Sequence, residues 1–239
     1  MPMSDPAERG AERPPETIAL PRRGFALDPR KLLLLAVLCW AAFALVAALV
    51  LADSAQALDR AGLLFWRQAG TLAPRGPEWL LESVRDVTAL GGVLLRNLFA
   101  LAAVAALLFV RLRREGLVLA GTVASGWLVG WVLKLFVGRD RPEIVPHLMH
   151  AGGQSFPSGH SFGAATVYVA IALAFATYSA RRSVRWTIVG GALVLSAAVA
   201  WSRVWLGVHF PTDVIAGWLG GTGWALLGAV LGDRMAARS

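Results

Sequence analysis

The sequence predicts an all-α protein: a bundle of six transmembrane helices, with an amphipathic interfacial helical segment between the first and the second. Three observations carry that expectation. The 239 residues are 56% hydrophobic and only 16% charged, whereas soluble domains carry about a quarter charged residues. The apolar residues fall in runs near the ~20 residues that cross a bilayer. Arginines stand in short blocks beside those runs and form no long stripe. The net charge of +8 therefore reads as a determinant of membrane orientation, and a nucleic-acid partner is not expected.

Residues 32–52 carry no charge and make the first span. The second ends near residue 110, its start blurred by Arg96 and Asn97, which are expected near an interface. The third covers 116–137 and holds Lys134 in its last turn. The fourth covers 161–180, the fifth 186–201 with room to extend, and the sixth 214–232. Between residues 52 and 90, charges alternate with Leu, Trp and Phe. Trp79, Leu80, Ser83 and Val87 follow helical spacing, which predicts one or two amphipathic helices at the interface. Gly91-Gly92, Gly190-Gly191 and Gly220-Gly221 are expected to permit close helix packing, and the tryptophans to anchor at the interfaces.

Residues 1–30, rich in Pro, Arg, Glu and Gly, predict a flexible tail, and the first apolar run starts too late for a cleaved signal peptide. The expected organisation is a cytoplasmic tail at 1–30, a membrane domain at 31–232 and a short cytoplasmic tail at 233–239. Cys39, the sole cysteine, reads as a small buried hydrophobe. The side that holds both ends collects the larger share of Lys and Arg, including the blocks Arg111–Arg113–Arg114 and Arg181–Arg182–Arg185. Both termini are thus expected in the cytoplasm, with loops 138–160 and 202–210 on the exterior.

Those two loops and their flanks hold nearly all the polar residues a catalyst could use: Lys134, Arg139, Asp140, Arg141, Ser158, His160, Ser202, Arg203, His209 and Asp213. Charge near a membrane interior is costly and tends to mark function. Cations beside two histidines and a carboxylate suggest an anion site with a nucleophile or base attached. Arg141 and Arg203 each offer a planar fork to two oxygens, and Lys134 a compact charge. Ser158 suits the N-cap of the fourth helix. Gly159 lets the backbone approach an anion, and free amides at that helix start favour phosphate. Pro211 suits the first turn of the sixth helix. At a spacing of four, Asp213 can accept from one ring nitrogen of His209, leaving the other as the better nucleophile. His160 is then free to protonate a leaving alkoxide.

Lys134-x6-Arg141-Pro142, Pro157-Ser158-Gly159-His160 and Ser202-Arg203-x5-His209-x3-Asp213 resemble the three-part signature of the type 2 phosphatidic acid phosphatase family, related to bacterial acid phosphatases and vanadium haloperoxidases. The resemblance implies an integral membrane lipid phosphatase. His209 would be the nucleophile, Asp213 its orienting partner and His160 the acid and later the base. Lys134, Arg141, Ser158, Gly159 and Arg203 would bind the phosphoryl oxygens, with no metal or other cofactor.

Taken singly, each residue has an ordinary reading: a snorkelling cation, an interface histidine, a helix cap. Three motifs in order on one membrane face argue for the joint reading. His147 and His150 read as a loop pair, and Arg139, Asp140 and Glu143 as local ion pairs or headgroup contacts. The expected substrate is a lipid phosphate entering sideways from the outer leaflet: an isoprenoid diphosphate such as undecaprenyl diphosphate, phosphatidylglycerol phosphate or phosphatidic acid. The arginine-rich, lysine-poor composition points to a GC-rich bacterial genome, and the expected location is the plasma membrane. A lipid-to-lipid phosphotransferase, a vanadate-dependent haloperoxidase and a non-enzymatic anionic-lipid transporter stay open as alternatives, and the sequence points to no particular protein partner.

Overall fold

Helix boundaries follow from local chemistry. The Asp28 carboxylate accepts from the Arg30 amide at 2.9 Å, and Pro29 sits in the first turn, so a helix begins there. Another ends at Gly138, whose φ of 61° closes the turn in the left-handed region that favours glycine. In the computed structural model, which describes residues 28–236, the helices are α1 (Pro29–Leu51), α2 (Gln56–Phe65), α3 (Glu78–Leu90), α4 (Val93–Phe109), α5 (Arg113–Val137), α6 (Gly159–Ala176), α7 (Arg182–Trp205) and α8 (Pro211–Ala236). The expected tail up to residue 27, and residues 237–239, lie outside the described residues.

Helices α1, α5, α6, α7 and α8 are each long and apolar enough to cross a membrane. The second expected span has a different form. Helix α4 has 17 residues, and only together with α3, across a 47° bend at Gly91-Gly92, does it pass the same test. Arg96 turns into the bundle: it is 6% exposed, and its Nη1 donates to the Gly91 and Gly159 carbonyls at 3.3 and 3.2 Å. Helix α7 reaches Trp205, within the extension past 201 that its short apolar run allowed, whereas α6 stops at Ala176, short of the expected 180. The segment between α1 and α4 is two helices, α2 and α3, joined through a turn with an Arg67–Pro74 bridge. On α3, Val84 and Thr88 turn inward, while Trp79 and Ser83 are exposed.

Helix α6 is the centre of the bundle, with twelve of its 18 residues buried. It packs on α8, α7, α5 and α4, while α8 packs on α1 as well. Glycines set the α6–α8 distance. A Cβ at Gly217 would stand 2.7 Å from the Ser158 carbonyl oxygen, and one at Gly221 would collide with the Phe162 carbonyl. That close crossing brings the start of α6 against the start of α8. Gly190-Gly191 do not act this way: a Cβ at either would meet nothing within 4 Å, because this stretch of α7 faces outward.

Around the outside, Leu101, Phe109, Leu117, Phe136 and Val194 are each at least 65% exposed. In water each such side chain forgoes about 1.5–3 kcal/mol of burial; lipid tails cover them instead. Leu32 packs with Val230 at one end of the α1–α8 pair, and Phe43 and Val50 with Ala216 and Phe156 at the other. The first and last described residues therefore share one face of the bundle, opposite the end where α6 and α8 begin.

Candidate active site

The eight residues singled out in the sequence come from five segments and meet at that second end. Lys134 is in the last turn of α5, Arg141 in the coil after it, Arg203 at the end of α7 and His209 in the turn before α8. Lys134, Arg141, Gly159, His160, Arg203 and His209 line one cleft of about 440 Å³, within the range of small-molecule sites. Ser158 and Asp213 are buried beside it, each 0% exposed. Ser158 caps α6, its Oγ accepting from the Ser161 amide and hydroxyl, and its own amide donates to the Asp213 carbonyl at 3.0 Å.

His209 is 1% exposed, and its two nitrogens are used differently. Nδ1 lies 3.3 Å from Asp213 Oδ2 and 3.1 Å from Ser155 Oγ, and the Ser155 hydroxyl makes a short hydrogen bond to the same Asp213 oxygen. Nε2 lies 3.1 Å from Arg141 Nη1. A guanidinium has no acceptor, so Nε2 presents its lone pair there and the proton resides on Nδ1. Burial pushes the His209 imidazole down to about 4, with Arg141 and Arg203 adding to the shift against the opposing pull of Asp213. The ring is neutral at pH 7, in the tautomer whose lone pair faces the cleft.

Behind Asp213 stands a second layer that the sequence did not reveal. Arg139 Nη1 bonds Asp213 Oδ1 at 2.8 Å, and Arg139 Nη2 bonds Asp59 Oδ2 at 2.6 Å. Asp59, from α2, is 1% exposed and accepts from the Thr212 amide and hydroxyl at 2.8–3.0 Å, capping the start of α8. The Arg139 guanidinium also stacks 4.0 Å above the Phe210 ring. Arg139 thus makes long-range buried ion pairs in place of the local ones expected. The available signals were an aspartate in an apolar stretch, Leu58-Asp59, and a serine two residues before the Pro-Ser-Gly-His run.

The cations on the cleft side have no carboxylate partner among the described residues. Arg141 donates to the Val208, Gly153 and Gly152 carbonyls at 2.8, 3.0 and 2.7 Å, and desolvation lowers its pKa against the pull of Asp213. Lys134 Nζ donates to the Gln154 carbonyl at 2.7 Å. Arg203 Nη1 reaches Thr88 Oγ1 at 3.1 Å and Met149 Sδ at 2.9 Å, and its Nε is buried with no partner among the described residues. His160 lines the cleft, and a Cβ on Gly91 would lie 3.3 Å from its ring. At Gly159 a Cβ would meet only the Lys134 stem, at 3.6 Å, so the backbone there is open to the cleft. Of the loop histidines, His147 hydrogen-bonds the Pro142 carbonyl at 2.7 Å, and His150 borders the cleft.

The cleft continues away from these cations between α4, α5 and α6, past Val93, Asn97, Trp127 and Trp131, to the outer surface of the bundle. An anionic head fits the cationic end and an apolar tail the opening between helices.

Comparison with known proteins agrees with this geometry. Residues 114–234 match the model of the PAP2 superfamily. Phosphatidylglycerophosphatase B of Bacillus subtilis (strain 168) is 36% identical over 143 residues, 58% of this chain and 68% of that protein. An undecaprenyl-diphosphatase of Sulfolobus acidocaldarius is 32% identical over 121 residues, 48% of this chain and 54% of that one. The crystal structure of a transmembrane PAP2-type phosphatidylglycerolphosphate phosphatase from Bacillus subtilis superposes with a TM-score of 0.74 at 30% identity, covering 84% of this chain and 96% of that one.

Proposed function

The chain belongs to the PAP2 superfamily, and on that premise we propose that it is a multi-pass membrane lipid phosphatase that works through a phosphohistidine on His209. One observation carries the reading: a neutral His209 directs its Nε2 lone pair into a cleft beside three cations that no carboxylate neutralises. Phosphoryl transfer needs mostly positioning and positive charge, and the two halves of this site supply one each.

In the proposed reaction, the phosphoryl group of the lipid displaces the neutral partners now held by Lys134, Arg141 and Arg203. Ser158 and the backbone at Gly159 complete the cradle. His209 Nε2 attacks phosphorus, the bond to the lipid oxygen breaks, and His160 gives that oxygen a proton. Asp213 holds the Nδ1 proton and balances the positive charge that grows on the ring. In the second half, His160 takes a proton from water, whose oxygen attacks phosphorus. The P–N bond breaks, releasing inorganic phosphate and restoring neutral His209.

The substrate class rests on the apolar opening between α4 and α5 and on relatives named for phosphatidylglycerol phosphate and undecaprenyl diphosphate. We place the site on the exterior face, with entry from the outer leaflet and both termini in the cytoplasm. The arginine blocks on the opposite end of the bundle support this orientation. The membrane domain is assigned to 31–232, flanked by cytoplasmic segments 1–30 and 233–239, in a bacterial plasma membrane.

The test is phosphate release by the purified protein in detergent with EDTA, from a panel of lipid phosphates, wild type beside His209→Ala. Release from at least one lipid that vanishes in the variant is expected. Equal activity in both proteins, or none from folded wild type, would remove the proposal. Label passing from one lipid to another in place of free phosphate would favour a transferase.

A further inference from the structure

From the placement of Arg96 we infer that this arginine binds a phosphate carried by the leaving group, so that the site is built for lipids with a second phosphate beyond the one removed. The inference rests on the phosphatase reading above. Arg96 lies in α4, outside the matched stretch 114–234 and outside the three sequence motifs. It is 6% exposed, and among the described residues it has no carboxylate partner. Both of its hydrogen bonds run from Nη1, to Gly91 and Gly159 carbonyls at 3.3 and 3.2 Å, while the side chain lines the cleft.

Around the site, the inward-turned arginines divide by their partners; apart from it Arg67, 2% exposed, also holds carbonyls only, those of Trp66 and Trp205, but lies outside the cleft lining. Arg139 is neutralised by two carboxylates and sits outside the cleft lining. Arg141, Arg203 and Arg96 have only neutral partners (carbonyls, a hydroxyl, a thioether sulfur and the His209 ring nitrogen), and all three line the cleft. A buried cation without a counter-ion is expensive, and an anionic ligand repays that cost. With Lys134, the cleft holds four such cations. A phosphomonoester brings about −1.5 to −2 charges at neutral pH, which leaves cationic charge over. A second phosphate removes the surplus.

Position assigns the surplus to the leaving side. Arg96 is bonded to the carbonyl of Gly159, the residue before His160, and packs on Gly163, one turn further along α6, where any Cβ would collide with the guanidinium. The Gly91 that accepts from Arg96 also packs against the His160 ring. Arg96 therefore stands beside the proposed proton donor, between the phosphoryl cradle and the apolar opening lined by Val93 and Trp127. When the bond from phosphorus to the leaving oxygen breaks, the electron pair moves onto a group in reach of this guanidinium. If that group is itself a phosphate, the fork meets the growing charge. A phosphate attached directly, as in a prenyl diphosphate, or one glycerol away, as in phosphatidylglycerol phosphate, offers the same chemistry.

The experiment compares kcat/KM for two pairs with matched tails: farnesyl diphosphate against farnesyl monophosphate, and phosphatidylglycerol phosphate against phosphatidic acid. It uses full-length wild type, Arg96→Gln and Arg96→Lys in detergent. In Arg96→Gln at least one of the two ratios should fall about 10–100-fold, with partial recovery in Arg96→Lys; the pair that responds names the source of the second phosphate. Unchanged ratios, or an equal loss on all four substrates as a purely structural role gives, would overturn the inference while leaving the phosphatase reading intact. Wild type inactive on all four would instead strike the phosphatase reading. Should Arg96→Gln not fold, wild-type inhibition by farnesyl methylenediphosphonate is compared with that by farnesyl phosphonate. Tenfold tighter binding of the former is expected, and equal binding would contradict the assignment.

Discussion

The two nitrogens of the His209 ring face opposite kinds of surroundings. On the Nδ1 side every charge is answered: Asp213 meets Arg139 and Ser155, Arg139 meets Asp59, and Asp59 caps α8 through Thr212. On the Nε2 side nothing is answered by an opposite charge. Arg141, Lys134 and Arg203 hold neutral partners, and Arg203 Nε has no partner among the described residues. The first half is finished in the absence of substrate; the second is completed by an anion. A nucleophile needs fixed geometry before substrate arrives, whereas an oxyanion cradle needs unspent positive charge.

That contrast can be broken most strongly at Asp213. Asp213→Asn keeps the shape but no longer holds the Nδ1 proton, and kcat should fall about 10⁴-fold, as in histidine triads that lose their carboxylate. Phosphate-release kinetics on folded variant give the answer, and a loss under tenfold would show that Asp213 does not orient the ring. Arg203→Met tests the opposite half. Activity should drop about 10²–10³-fold, while Tm holds or rises because an uncompensated buried charge is gone. Arg139→Gln should reverse the stability sign: it strands two buried carboxylates and destabilises by about 3–5 kcal/mol. A thermal melt of the two variants side by side checks this, and matching shifts would erase the distinction between the halves.

Smaller effects sharpen the layering. Asp59 never touches the cleft, so Asp59→Asn should lower kcat about 10–100-fold with KM near wild type; a pure KM effect would place it elsewhere in the reaction. Ser155→Ala removes one hydrogen bond of about 1 kcal/mol, a loss of several-fold in kcat. The His209 imidazole, held down to about 4 by burial, should stay neutral as pH falls through 6.5, the ordinary histidine value. In that window the unfolded chain binds the extra proton and the folded one does not, so stability drops as pH drops. Histidine-labelled NMR, assigned with His209→Ala, reads this directly, and a His209 resonance titrating near 6.5 would contradict the buried, neutral state.

The cleft half was legible in the sequence because its residues sit at fixed short spacings that local structure preserves: Ser158 one before α6, His209 and Asp213 one helical turn apart. The supporting half was not, because its contacts are distant in sequence. Asp59 reaches Thr212 across 153 residues, and Arg139 reaches Asp213 across 74. A lone aspartate in the amphipathic segment reads as a solvated charge until α2 packs on the start of α8. The span pattern was legible from charge-free runs, yet α4 was blurred by Arg96, whose charge is a reason to expect an interface unless a cleft receives it. Gly190-Gly191 resembled a packing motif in composition, but nothing in the sequence says which face of α7 meets a neighbour.

The most direct test of the account is to trap the covalent intermediate. Wild-type protein is mixed with a lipid carrying ³²P in its terminal phosphate and quenched in alkali, where a phosphoramidate at histidine survives and acyl phosphates do not, and the label is mapped by proteolysis. The account predicts label on the peptide containing His209, absent in His209→Ala and discharged to inorganic phosphate on a chase with unlabelled lipid. Turnover with no label on the protein, or label on His160 or any other residue, would contradict it.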